Sequence, residues 1–219
     1  MAFDGITIAA MVRELHLNLD GGRFNKIAQP EADELLITGK GANGQCRLLL
    51  SASASLPLIY FTSKNKPSPM TAPNFCMLLR KHIGSARISD IRQPGMERVV
   101  MFELEHLNEL GDPCKKVLIM ELMGKHSNII FCDDKGMILD SIKHVSSHMS
   151  SVREVLPGRE YFIPKTQDKL DPLTVSEEEF YDVVCRKPCN VSRAVYSSRY
   201  WNQSGCCGGD LFQGFDRRE

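Results

Sequence analysis

The chain has 219 residues, 42% hydrophobic and 25% charged, an ordinary globular composition with length for one well-packed domain and part of a second. No apolar run reaches the roughly 20 residues of a membrane helix, and the opening MAFDGITIAAMVREL lacks a basic leader, a long apolar stretch and a small-residue cleavage site, so the expected location is the cytoplasm, with no membrane contact. Twenty-seven basic residues balance 27 acidic ones, which excludes coating nucleic acid through bulk charge and requires a local patch for any RNA contact.

Ile8, Met11, Val12, Leu15 and Leu19 recur at helical spacing, so an amphipathic helix is expected over residues 6–19, ended by Asp20-Gly21-Gly22. Short strand-like runs follow at 23–29, 34–38, 46–51 and 58–61, separated by Pro30, Gly39-Lys40-Gly41 and Pro57. This meander spacing predicts antiparallel pairing. Residues 64–73 are rich in Ser, Asn and Pro and read as a loop, and helical periodicity returns over 72–83.

Strands resume at 87–91, 98–105, 116–123, 128–132 and 137–143, with turn chemistry at Asp112 and at Asp133-Asp134-Lys135-Gly136. The stretch 146–173 has little periodicity and contains Pro157, Pro164 and Pro172, which predicts an ordered wrap-around or a linker and a domain boundary near Leu173. Ser176 stands three residues before Glu179, a capping-box pattern that opens a helical run through Phe180, Val183 and Val184. The expected division is 1–173, then the start of a helical domain at 174–198, then a tail at 199–219.

Of eight cysteines, Cys46, Cys76, Cys114 and Cys132 stand alone and are expected as buried free thiols. Cys185 with Cys189, and adjacent Cys206 and Cys207, lack the histidine pair or second CxxC that a zinc site needs. His144 and His148 have ligand spacing only on a helix, which Ser146-Ser147 disfavours, so no metal and no cofactor are expected. His126 and Ser127, taken as strand neighbours, point to opposite faces and make a poor base and nucleophile, leaving His126 as a hydrogen-bonded structural histidine. The richest basic segment holds Lys64, Lys66, Arg80, Lys81, Arg87, Arg92 and Arg98 against Asp90 and Glu97, enough to neutralise phosphates, though a solvated charged face looks the same.

Several strings in order resemble the RqcH/NEMF family, also called NFACT or fibronectin-binding protein A: FDG at Phe3 to Gly5, GGR at Gly21 to Arg23, KIAQP at Lys26 to Pro30 and LLLSA at Leu48 to Ala52. FCMLLRKH at Phe75 to His82, GMER at Gly95 to Arg98, MGKHSNII at Met123 to Ile130 and LPGREY at Leu156 to Tyr161 continue the match to about residue 198. The resemblance implies an α+β domain, mainly an antiparallel sheet or sandwich with flanking helices, similar to the N-terminal fold of formamidopyrimidine-type glycosylases and followed by a partial helix-hairpin-helix domain. It implies no enzyme but an RNA-binding module of ribosome-associated quality control. Its implied partners are the obstructed large ribosomal subunit, tRNA (usually alanyl-tRNA) and the stalled peptidyl-tRNA complex, to which a C-terminal tail is added without a template.

The family's Asp-Arg pair for tRNA falls on Glu97 and Arg98, with Glu in place of Asp lengthening the reach by one methylene. Arg98 can present a bidentate fork to phosphate or base, with the carboxylate orienting it; otherwise the two make a surface ion pair of little worth. Asp4 matches another acidic position and also suits an N-cap. Arg23, Lys26, Arg80 and Lys81 complete the RNA-binding candidates through phosphate contacts. A glycosylase reading lacks the N-terminal proline nucleophile, since the chain begins Met1-Ala2-Phe3. A surface-adhesin reading lacks an export signal and has to tolerate several unpaired thiols.

From Arg199 the text YWNQSGCCGGDLFQGFDRRE leaves the family pattern. Back-translated and read one nucleotide later, WNQSGCCGGDLFQGFD permits GISPVVAEEICFRASI, which restores the family's helix-hairpin-helix motif, so the tail is read as a frameshifted continuation.

Overall fold

The computed structural model describes residues 3–107, 111–164, 174–189 and 193–194. Helix α1 spans Gly5–Leu19 and buries Ile8, Leu15 and Leu19, the stripe its spacing predicts. Four strands follow, β1 (Arg23–Ala28), β2 (Glu34–Gly41), β3 (Gly44–Ser51) and β4 (Leu58–Phe61). After helix α2 (Asn74–Ile83) come β5 (Arg87–Arg92), β6 (Val99–Leu107), β7 (Pro113–Glu121), β8 (Asn128–Asp133) and β9 (Ile138–Ser141). Helix α3 (Glu177–Cys185) begins where the capping box predicts, with the Ser176 hydroxyl accepting from the Glu179 amide at 3.2 Å.

The nine strands form one antiparallel sheet in the order β4-β3-β2-β1-β5-β6-β7-β8-β9, so the α+β class and the antiparallel expectation hold. Laid flat, strands β3 and β9 would stand about 34 Å apart at the usual ~4.8 Å spacing. Instead Lys143, just past β9, donates to the carbonyl of Ala52, just past β3, and to that of Ser127 at 3.2 Å. The sheet therefore curls until its halves face each other. The main core lies on the inner face, where Phe24, Ile37, Leu48, Phe102, Leu118 and Phe131 meet the apolar stripes of α1 and α2.

On the outer face of the second half-sheet, Val99, Met101, Ile119, Ile130 and Ile138 form a second cluster with Val155, flanked by Tyr161 and Ile163. Residues 145–163 are thus an ordered wrap, pinned by bridges between Val145 and Val155 and between Met137 and Glu160. Glu121, fully buried on β7, accepts from Arg153 and from the Tyr161 hydroxyl at 2.9 Å. Burial lowers the affinity of the Arg153 guanidinium for its proton, but the Glu121 carboxylate outweighs this and leaves the pKa raised. The same burial, reinforced by Glu121, pushes the Tyr161 phenol up.

Three expectations need correction. Gly124–His126 is a single 3₁₀ turn and not strand, because the Ser127 hydroxyl accepts from the Met123 amide at 2.8 Å and closes it. His126 is exposed and its ring makes no hydrogen bond with a described residue, so it is not the hydrogen-bonded structural histidine expected, and Ser127 is the buried member of the pair. Of the four isolated thiols, Cys76 and Cys132 are buried, whereas Cys46 and Cys114 are half-buried. The boundary at Leu173 and the tail at 199–219 lie outside the described residues, as do Cys206 and Cys207.

Candidate nucleic-acid interface

Asp4 caps α1: its Oδ1 accepts from the Thr7 amide at 2.8 Å and from the Thr7 hydroxyl at 2.7 Å, satisfying donors that the first turn leaves open. The helix start then meets a turn almost 90 residues away in sequence. Gln93 Nε2 donates to the carbonyl of Gly5 at 2.9 Å and to that of Glu97 at 2.8 Å, strapping α1 to the β5–β6 connection. The approach is close enough that a Cβ on Gly5 would lie 2.5 Å from the Met96 carbonyl oxygen. Glycine is required there for steric reasons.

This brings Asp4, Glu97 and Arg98 into one locality. Arg98 is half-buried, its carbonyl accepts from the Leu122 amide at 2.8 Å, and its guanidinium makes no hydrogen bond or ion pair with a described residue. A guanidinium can pair with a phosphate, and carboxylates can accept from base amines or ribose hydroxyls.

The other four candidates lie elsewhere. Arg23 and Lys26 are exposed on β1, and the Arg23 guanidinium reaches the Ser85 carbonyl at 3.4 Å. Arg80 spends its Nε on the Ile27 carbonyl at 2.7 Å, tying α2 to β1, and Lys81 is exposed beside it. The basic segment 64–98 is likewise divided: Lys66 pairs with Glu34 and Arg92 with Glu103. Gln93 is the residue that sequence reasoning missed. A lone polar residue before Pro-Gly gave no signal that it would bridge two elements.

Among the described residues no group of three or more His, Cys, Asp or Glu converges as a metal site, and no helix is long and apolar enough to cross a membrane. His144 contacts Asp140 at 2.7 Å instead of a ligand partner.

Residues 4–199 match the family model described as NFACT N-terminal and middle domains. The chain belongs to this family. The Rqc2 homolog RqcH of Bacillus subtilis is 42% identical over 182 residues, which are 82% of this chain and 32% of that protein. The chain therefore spans about a third of the curated relative's length. Among solved structures, the N-terminal part of the fibronectin/fibrinogen-binding protein from Streptococcus suis shares 33% identity at a TM-score of 0.87, covering 94% of this chain and 77% of that one. The N-terminal domain of fibronectin-binding protein PavA from Streptococcus pneumoniae shares 31% at the same TM-score of 0.87, covering 98% and 83%. Within the NFACT family this chain thus shares its fold with proteins whose names point in two functional directions.

Proposed function

We propose that this chain is the RNA-binding module of a ribosome-associated quality-control factor. It engages the obstructed large subunit and tRNA and supports template-free C-terminal tailing of the stalled chain, alanyl-tRNA being the expected donor. The module does no chemistry itself and works in the cytoplasm on the ribosome. The observation that carries the reading is the junction of the α1 start with the 93–98 turn, which brings Arg98, whose guanidinium has no partner among the described residues, into the same locality as Asp4 and Glu97. Membership in a family with relatives named as Rqc2 homologs supports it.

The test is tRNA binding by the complete chain at low and moderate salt, wild type against Arg98→Ala and Glu97→Ala. Salt-sensitive binding that Arg98→Ala abolishes is the expected result. Binding that is indifferent to both substitutions overturns the assignment of the site.

A second reading, a fibronectin-binding adhesin, follows from the names of the structurally similar proteins. Fractionation separates the two: co-sedimentation with large subunits supports the ribosome factor, and recovery on the cell surface supports the adhesin.

A further inference from the structure

Strand register defines a second surface, away from Arg98. Residues 23 and 26 are three apart and would point to opposite faces of a regular strand. The register of β1 on β2 skips Asn25, so that Arg23 stands opposite Lys40 and Lys26 opposite Thr38. Since Thr38 and Lys40 share a face of β2, so do Lys26 and Arg23. Across the next pair Arg23 stands opposite Arg87. Arg87, Arg23 and Lys40 thus form a row over three adjacent strands. A second row, Lys26, Thr38 and Arg47, runs about 7 Å along the strands.

Like charges directly opposite one another destabilise a sheet, and the fold does not neutralise these. Arg23, Lys26, Lys40 and Arg87 are exposed and make no ion pair with a described residue. Nearby cations do pair: Lys66 with Glu34, Arg92 with Glu103, and Lys115 with Glu105, the residue opposite Arg87. In a chain with 27 basic and 27 acidic residues, four uncompensated cations on one face fit an external polyanion.

Two further features narrow its chemistry. A cleft of about 420 Å³ opens at the rim between the α1–β1 and β2–β3 turns, lined by Gly22, Gly41, Arg23, Asn25, Lys40 and Asp20. Gly41 allows the close approach, since a Cβ there would lie 1.7 Å from the Asn18 carbonyl oxygen. Farther across the face Tyr60, opposite Leu49, is 43% exposed, an open ring on which an unpaired base can stack. The outer face of the second half-sheet is covered by residues 145–163, whereas these residues of the first half remain open.

We propose that this face takes the backbone of single-stranded RNA, with a phosphate seated in the cleft between Arg23 and Lys40 and a base stacked on Tyr60. The proposal rests on the RNA reading above but uses different residues. These rows lie on strands, with no helix among them to enter a groove, while an exposed aromatic beside basic rows suits unpaired nucleotides.

The test is fluorescence polarisation of the complete chain with a labelled single-stranded RNA of about 12 nucleotides and with a hairpin of the same composition, at about 50 and about 200 mM salt. The Lys26→Gln, Lys40→Gln double variant is expected to bind the single strand at least ~10-fold more weakly, with the salt slope reduced by about 1.4, two contacts at ~0.7 each. Tyr60→Ala is expected to weaken binding by about 5- to 160-fold with the slope unchanged. Wild-type affinity in the double variant overturns the face without touching the Arg98 site, whose readout is tRNA. A hairpin preferred over the single strand and indifferent to Tyr60→Ala overturns the single-strand assignment. Failure of the wild type to bind any of the three RNAs overturns this proposal and the RNA reading together.

Discussion

Arg153 lies across the fully buried carboxylate of Glu121, 32 residues earlier in the chain, and its guanidinium sits 5.5 Å from the centre of the Tyr161 ring. The wrap over the second half-sheet is held by this contact as well as by its apolar residues: Arg153 also donates to the Phe162 carbonyl at 2.7 Å. Removing one partner of a buried pair strands the other charge, so Arg153→Ala is expected to cost about 3–5 kcal/mol. Replacing both, as Glu121→Leu with Arg153→Met, is expected to recover most of that loss, because no charge then remains to be desolvated. Urea unfolding followed by far-UV circular dichroism checks both. A double variant as unstable as the single one would show that the polar contacts themselves hold the wrap.

The thiol of Cys132 offers a pH-dependent check. Burial, with Asp133 and Glu121 adding to it, pushes this group up to about 12 from an ordinary 9.0. The folded state therefore keeps its proton when the unfolded chain has lost it. The resulting stabilisation is complete below pH 9.0 and is lost as pH rises from there toward about 12. At about pH 8 iodoacetamide is expected to label exposed Cys185 and Cys189 and to spare Cys132 and Cys76 until denaturant is added. Peptide mass spectrometry reads the result, and labelling of Cys132 in the native protein would contradict its burial.

Ser85 adopts a φ of 76°, between the end of α2 and β5, with its amide donating to the Phe24 carbonyl at 2.7 Å. A side chain in this left-handed region is strained, and glycine is not. Ser85→Gly is expected to stabilise the fold by about 0.5–1 kcal/mol, the relief of strain exceeding the extra freedom of the unfolded chain. Thermal or urea unfolding measures it, and destabilisation would mean that the Ser85 side chain contributes a contact larger than the strain.

Strand and helix positions were legible because their physics is local. The short apolar runs of Glu34 to Thr38 and of Arg98 to Glu105, and the helical stripe of Ile8, Leu15 and Leu19, mark strand and helix before any partner is known. Two irregularities were not legible. The bulge at Asn25 places Arg23 and Lys26 on one face, although period-2 reasoning separates them. The curl that brings Lys143 to Ala52 depends on a contact 91 residues long. The candidate site was visible as Asp4 and as Glu97-Arg98 only through family motifs, since nothing local to either segment announces the other. The partner of Glu121, Arg153, lies in a stretch without periodicity, so that pair was not legible either.

Gln93 makes the convergence of Asp4 with Arg98 testable without altering either. Its amide nitrogen serves both the Gly5 and Glu97 carbonyls, at 2.9 and 2.8 Å, and Gln93→Met keeps the length of the side chain while deleting both bonds. The loss is expected to cost about 1–3 kcal/mol of stability. If the strap presents Arg98 in the geometry that tRNA meets, binding then also pays for ordering the turn, about 0.5–1.5 kcal/mol, a roughly 2- to 13-fold weakening. Titration of tRNA into the variant, below its unfolding temperature, measures this, with Arg98→Ala as the limit of complete loss. Unchanged affinity would mean that the turn is fixed sufficiently by buried Met96 and by the Leu122 amide on the Arg98 carbonyl, so that the strap serves the fold alone.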